Sequence, residues 1–389
     1  MATAEVAEER RPGSRIRPEA RHAEILAPRA APVSPEVKRR AVNALFVFAG
    51  ILIVIQVLSI PVGRYLTNKV YEGTDAYSEW TSYTAGPPPD VLFLGPSEAR
   101  TDIDTAKLAG LLSTAAGHKV TVGKLGFSAQ GPAFIEIMMH KIMHRAAHPK
   151  VIVRTVETAM FNGNGSCRAC LSDQITSDLW QVSDLTDPTF VSLALRNDPN
   201  PARLTAGWLL PALAYYPSIS AVDCTVVRRE RPIWQRLLGS MPWELDVQTP
   251  CELGAPAHPG ATMTADSRDS ISLSYRELLL RQYKISPELV ADERAGVSEA
   301  RAGGVAVVFL KPPFHSLIRT ADPALDAEFD GQITGLASDL GVSTIDLSDV
   351  MPDQDRYWVD PLHLNLAGAA YFAPALAAAL STKLSELGV

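Results

Sequence analysis

Cysteine is scarce, positive charge is in deficit, and long apolar runs are missing except for one. Only four Cys occur in 389 residues: Cys167, Cys170, Cys224 and Cys251. The net charge of −7, from 36 Lys/Arg against 43 Asp/Glu, excludes a chain that holds nucleic acid by bulk electrostatics. A mean hydropathy of +0.04 excludes a polytopic membrane protein. Internal repeats are absent, and so is HExxH. No second CxxC or paired His follows Cys167–Cys170 at zinc spacing. No metal and no organic cofactor is therefore expected. What is present is apolar material: 47% of residues are hydrophobic and 20% charged, enough for a core and against a disordered chain. The length fits two or three domains, or one large α/β domain with an insertion.

The averages hide an uneven N-terminus. Residues 1–40 hold nine Lys/Arg and six Glu, a net +3 with no apolar period, which predicts a disordered tail. Residues 41–63 carry no charge and are mostly Leu, Ile, Val, Phe and Ala. At about 1.5 Å per residue this run crosses a hydrocarbon core of about 30 Å. A helix with no polar face is rare outside membranes. Lys38, Arg39 and Arg40 precede the run, so the positive-inside rule keeps the tail in the cytoplasm and exports residues 64–389. A cleaved signal peptide is the alternative, but no A-x-A-like site follows. The expectation is a single-pass, uncleaved anchor in the cell (inner) membrane, with a periplasmic or extracellular part of net charge −10. All four Cys lie beyond the run, where disulfides form; Cys167–Cys170 with Cys224–Cys251 is the simplest of three pairings. A redox or half-zinc role for the CxxC is the other reading.

Residues 64–89 read as a juxtamembrane linker ending in Gly86-Pro87-Pro88-Pro89. An α/β rhythm follows. Apolar runs at 90–94, 120–125, 150–156, 304–310 and 342–347 predict five strands. Helical spacing lies at 105–116, 132–147, 323–340 and 367–387. Strands alternating with helices predict a parallel five-stranded sheet sandwiched by helices. Residues 90–160 and 303–389 form the sheet domain; 161–302, where the rhythm is lost, form a large insertion after strand three.

Open parallel sheets place their sites at the carboxyl ends of strands. Strand one is followed by Gly95-Pro96-Ser97-Glu98-Ala99-Arg100. Ser97 at a strand-to-helix turn is either a helix cap or a nucleophile. Strand five is followed by Asp360-Pro361-Leu362-His363 before the last helix. Nucleophilic acyl chemistry needs a base for the serine and an acid to orient that base. His363 and Asp360 are those residue types, and a serine after strand one together with DxxH before the last helix is a stronger pattern than either alone.

With these blocks the chain resembles the SGNH (GDSL-like) hydrolases, an SGNH-like (flavodoxin-like) fold. The runs VLFLGPSEARTDID, KLGFSAQGP, VAVVFLKPPFH and DPLHLNLAGA are most similar to the membrane-anchored polysaccharide O-acetyltransferase branch, of the AlgJ/AlgX and DltD-like kind. The resemblance implies Ser97 as nucleophile, His363 as base, Asp360 as acid, and the backbone N–H groups of Gly126 and Ser97 as the oxyanion hole. Two departures stand out. The usual GDSxS is Gly95-Pro96-Ser97-Glu98-Ala99, a GxSE-like form, and the Asn of the third block is replaced by the segment Val156-Glu157-Thr158-Ala159-Met160-Phe161-Asn162.

Other side chains carry paired readings. Arg100 binds a substrate carbonyl or carboxylate, or lies along its helix. His315 binds substrate, or is a hydrogen-bonded loop histidine. Asn162 or Asn164 reaches the site, or neither does. Glu98 serves a helix N-terminus. His140, His144 and His148, every four residues, suggest a metal, but the nearby Lys and Arg favour a solvated face. Trp180, Trp208, Trp234 and Trp243 stack on sugars or fill a core. The leading expectation is an exported serine O-acyltransferase acting on a polysaccharide or glycan, supplied with acyl groups by an MBOAT-type membrane partner. A tethered esterase or deacetylase is the alternative, and a non-catalytic scaffold of a polysaccharide complex the third.

Overall fold

The computed structural model describes residues 34–70, 76–127, 130–164, 184, 186–197, 201–202, 205, 261–275, 280, 282–319 and 322–388. Its elements in chain order are α1 (Pro35–Val70), α2 (Ala76–Thr84), β1 (Val91–Gly95), α3 (Ser97–Thr101), α4 (Thr105–Ala116), β2 (Val122–Gly126), α5 (Pro132–Met143), β3 (Val151–Thr155), α6 (Pro188–Asn197), α7 (Ala265–Ser274), α8 (Pro287–Ala302), β4 (Ala306–Lys311), α9 (Ser316–Arg319), α10 (Pro323–Leu340), β5 (Ser343–Asp346), β6 (Trp358–Asp360), β7 (His363–Leu364) and α11 (Leu366–Leu387). The chain divides into a unit ending at Leu52 and one running from Ile53 to Val389.

In the first unit the start of α1 exposes Leu45, Phe46, Val47, Phe48 and Ile51. Among the described residues no helix is long and apolar enough to cross a membrane. The expected 41–63 span continues as helical backbone, but side chains at 55–78 lie outside the described residues. So do Cys167, Cys170, Cys224, Cys251, Trp180, Trp208, Trp234 and Trp243.

The second unit is built on a five-stranded sheet in the order β2-β1-β3-β4-β5, every neighbouring pair parallel. Strands buried on both faces are apolar at nearly every position, and alternate residues serve opposite faces. Leu92, Leu94, Ile152 and Phe309 pack on one side with Phe134 and Ile137 of α5, Val297 of α8 and Phe329 of α10. Val91, Phe93, Val153 and Val308 pack on the other with Leu108 and Leu112 of α4 and Phe372, Leu376 and Leu380 of α11. The five strands and their sandwiching helices match the sequence expectation closely.

One layer helix was not expected. α8 falls inside the stretch assigned to the insertion, 161–302, yet it is the crossover helix that leads into β4 and packs along α5. Its sequence, PELVADERAGVSEARA, has few large apolar residues, so its periodicity is weak. Leu289 and Val297 join the core, and small residues let the helix come close: a Cβ at Gly296 would lie 3.1 Å from Met139 Sδ and 3.2 Å from Glu136 Cα. The inserted region is therefore shorter at its C-terminal end than the sequence suggested.

Two ionic clamps tie this layer together. Arg154, in the middle of the sheet, donates to Glu293 of α8 through Nε (2.9 Å) and Nη2 (2.9 Å), both side chains wholly buried. The second clamp corrects the solvated-face expectation for His140, His144 and His148. His140 is buried, with Nδ1 2.8 Å from Glu299 Oε1 on α8 and Nε2 2.9 Å from Asp187 Oδ2 just before α6. Lys141 is buried beside it on Asp184, 2.6 Å away. His144 remains exposed, and His148 Nε2 donates to the Met143 carbonyl at 2.9 Å. Burial would lower the His140 pKa, but Glu299 and Asp187 outweigh it and raise it.

Two stability tests follow from these clamps. Arg154→Met leaves Glu293 buried without a counter-charge and should cost about 3–5 kcal/mol in denaturant unfolding. Adding Glu293→Leu should recover most of that loss; no recovery would show that packing, not charge, sets the cost. For His140 the folded pKa is raised above the unfolded 6.5. Its contribution is complete below pH 6.5 and fades as pH rises through the folded value. The stability gap between wild type and His140→Gln should narrow with rising pH; a gap that widens would contradict the clamp.

Candidate active site

The strand order reverses between β1 and β3, the kind of edge at which open parallel sheets place their sites. Both loops that leave it hold polar residues. Pro96, in extended conformation, stops β1 and makes Ser97 the first residue of α3. The Ser97 N–H therefore has no intrahelical acceptor. α3 is only five residues long and ends at Asp102, which is wholly buried. Asp102 Oδ1 accepts from Thr101 Oγ1 (2.8 Å) and from the backbone N–H of Leu364 (2.8 Å). One carboxyl thus pins β7 to the helix that begins with Ser97.

The turn between β6 and β7 is built by its own aspartate. Asp360 Oδ1 accepts the N–H groups of Leu362 (2.8 Å) and His363 (3.0 Å), a local turn closed by a side chain. Asn365 caps α11 through Gly368 N–H (2.9 Å), and its Nδ2 donates to the Arg356 carbonyl (2.9 Å). A Cβ at Gly368 would collide with the Tyr357 carbonyl, so the helix start needs glycine there. The DPLHLNLAG run therefore positions His363 from both sides.

The structure brings the three expected residues into one hydrogen-bonded chain. His363 Nε2 lies 2.8 Å from Ser97 Oγ, and His363 Nδ1 lies 2.9 Å from Asp360 Oδ2. In the neutral imidazole, with Nδ1–H donating to the carboxylate, Nε2 is the acceptor for the Ser97 hydroxyl. Burial would raise the Asp360 pKa, but His363 and the two backbone donors outweigh it and hold the carboxyl below its ordinary value. Burial would lower the His363 pKa, but Asp360, Glu98 and Asp102 push it up to about 10.

Gly126 departs from its expected role. Its N–H donates to Glu79 Oε2 at 2.5 Å, so the amide assigned to the oxyanion hole is already engaged. The glycine is needed for another reason: a Cβ would collide with the backbone and Cβ of Arg100, so only glycine lets α3 lie against the end of β2. Arg100 lies along α3 with its backbone in that contact and its carbonyl accepting from Lys124 Nζ. His315 is a loop histidine. Its N–H donates to Pro361 O (3.1 Å), its Nδ1 accepts from Leu317 N–H (3.3 Å), and its ring meets Trp358 edge-on. It thus backs the turn that holds His363. Asn162 Oδ1 accepts the amides of Asn164 (3.0 Å) and Lys284 (3.3 Å), and Asn164 Nδ2 donates to Gln282 O (2.8 Å). These contacts fasten the segment after β3 to that before α8.

Three buried acids beside the chain were not assigned to the site from the sequence: Glu98, Asp102 and Glu157. Glu98 Oε1 is 3.9 Å from His363 Nε2. Glu157 follows β3, and its carboxyl is pushed well up by burial and then by Glu98. Burial likewise pushes Glu98 up, against His363, and Asp102 well up. A carboxyl placed directly after β1 or β3 was the available signal. For a metal, His140, His144 and Glu299 are the described residues with ligand atoms within 4.8 Å of one another. The close His140–Glu299 and His140–Asp187 contacts are those of an imidazolium between two carboxylates.

No protein-family model and no curated protein sequence matches the chain. Among solved structures, the chain is similar to a mutant acetyl-xylooligosaccharide esterase from Geobacillus Stearmophilus, at 11% identity and a TM-score of 0.34, over 78% of this chain and 96% of that one.

Activation of Ser97 can be read directly with a fluorophosphonate, which labels serines that a base has made nucleophilic. Wild type should label at Ser97, and His363→Ala should slow labelling about a hundredfold or more. Asp102→Asn keeps the Oδ1 acceptor and should label well, whereas Asp102→Ala frees β7 and should label poorly. Equal labelling of the two Asp102 variants would remove the pinning role.

Proposed function

We propose that the protein is a serine acyl-transfer enzyme of the SGNH type, working through an acyl-serine intermediate. The observation that carries this is the Ser97–His363–Asp360 hydrogen-bond chain at the carboxyl edge of the sheet. Ser97 Oγ attacks the carbonyl carbon of an ester as its proton passes to His363 Nε2. Asp360 fixes the imidazole tautomer and stabilises the imidazolium. In this mechanism the Ser97 N–H, which has no acceptor within its helix, donates to the developing oxyanion. The carbon–oxygen bond to the leaving group then breaks, and that oxygen takes the proton from His363. In the second half a hydroxyl oxygen attacks the acyl-serine, gives its proton to His363, and Ser97 recovers its hydroxyl.

The finer reading is O-acetyl transfer to a polysaccharide or glycan outside the cell membrane. It rests on the resemblance of the GPSEA and DPLHLNLAGA blocks, and on the charge-free run at 41–63 with its exposed apolar row on α1. On this reading an MBOAT-type membrane protein delivers the acyl group, because acyl-CoA is cytoplasmic. A second reading, hydrolysis, is favoured by the 21% exposure of the His363 side chain, which leaves the acyl-serine open to water.

An aryl acetate assayed with and without an acetyl-free oligosaccharide separates the two. Transfer predicts new ester on the sugar, and hydrolysis predicts acetate alone. Ser97→Ala should abolish both, by about a thousandfold or more. Turnover that survives Ser97→Ala would refute the serine mechanism and leave a scaffold role.

A further inference from the structure

The proposed mechanism uses one carboxylate at His363 Nδ1, yet a second stands at the other nitrogen. Glu98 is 2% exposed. Its Oε1 lies 3.9 Å from His363 Nε2, the atom that faces Ser97 Oγ at 2.8 Å. Its Oε2 is buried with no hydrogen-bond partner. The amide that helps hold this carboxylate is Glu98's own backbone N–H, and Oε2 is left without a donor, a costly place for buried charge. The cation that acts on it most strongly is the His363 imidazolium.

The other groups around Glu98 divide by element. His363 and Asp360 face it from the β6–β7 turn, Arg100 and Asp102 from its own helix, and Glu157 from the end of β3. Tyr275, just after α7, is also buried and feels both Glu157 and Glu98. Among the acids, Asp102 has Oδ1 engaged by Leu364 and Thr101, and Asp360 is engaged by His363. Burial and then Glu98 push the Glu157 carboxyl well up.

Resting on the serine reading above, we propose that Glu98 is a second counter-charge for His363, so that Asp360 and Glu98 together hold the imidazolium formed when Ser97 gives up its proton. Glu98 acts on charge alone and takes no proton in the cycle. The proton leaves Ser97 Oγ as the Oγ–carbon bond forms, resides on Nε2, and departs with the leaving oxygen. A negative charge 3.9 Å from Nε2 makes the imidazole a stronger base, and it also keeps the imidazole protonated to higher pH.

These two consequences pull in opposite directions and give the test. In Glu98→Gln the acidic limb of the kcat/KM–pH profile with an aryl acetate should move down by about one unit or more. The plateau should fall by about tenfold, since the imidazole is then a weaker base. Glu98→Asp keeps the charge but draws it back, and should move the limb the same way by less. Glu157→Gln leaves the Glu98 charge in place and should move the limb less than Glu98→Gln does. A lower plateau with an unmoved limb in Glu98→Gln would make Glu98 merely structural and overturn the proposal.

A second measurement does not depend on turnover. The His363 imidazole is titrated by nitrogen NMR in Ser97→Ala, where Glu98 is intact, and in the double variant that adds Glu98→Gln. A lowered His363 pKa in the double variant supports the counter-charge, and an unchanged one overturns it even though both proteins are inactive. Failure of the serine mechanism itself would show elsewhere, as turnover that persists in Ser97→Ala.

Discussion

The hydrogen bond from the Leu364 N–H to Asp102 Oδ1 joins residues 262 positions apart, and the site depends on it. One end fixes the strand that starts with His363. The other end closes the helix that starts with Ser97. Because Asp102 is wholly buried, water cannot replace the acceptor if it is lost. The helix is pressed against β2 where Gly126 has no side chain, and the turn before His363 is closed by Asp360 and backed by His315. A 2.8 Å contact between Ser97 and His363 is the product of these constraints, none of which involves the reacting atoms directly.

The same corner concentrates cost. Glu98, Asp102 and Glu157 each have a buried oxygen without a partner, and such an atom costs about 1–3 kcal/mol. The rest of the second unit offsets this with two apolar faces on one sheet and with the doubly hydrogen-bonded Arg154–Glu293 pair. The division is a physical one. Stability comes from layers whose polar groups are paired, whereas the corner around Ser97 and His363 buries carboxyl oxygens that have no partner. His140 belongs to the first kind: its ring joins α5, α8 and the start of α6 through two carboxylates rather than serving a solvated face.

Much of the sheet was legible because buried parallel strands are apolar at nearly every position, as in Val91–Leu94 and Ala306–Leu310. The spacing Asp360 to His363 was legible because it lies within one local turn. α8 was not, since it packs through Gly296 and Ala300 and so has little apolar period. Glu98 read as a helix-start residue and Glu157 as a gap in a motif, because neither has a sequence neighbour that reveals burial. Gly126 was noticed at the right place for the wrong reason. Its amide meets Glu79, from a helix before β1, and no pattern near Gly126 announces that partner.

The order of residues was enough for the alternation of strands and helices, the local turn that orients His363, and the residue types available for acyl chemistry. These depend on interactions within a few residues, where spacing stands in for geometry. Folding in three dimensions was needed to show that Ser97 meets His363, that Glu98 sits against the same imidazole nitrogen, and that Gly126 is closed off. Those facts depend on burial and on contacts between distant parts of the chain. The energy of a charge is set by what surrounds it rather than by what precedes it in the sequence.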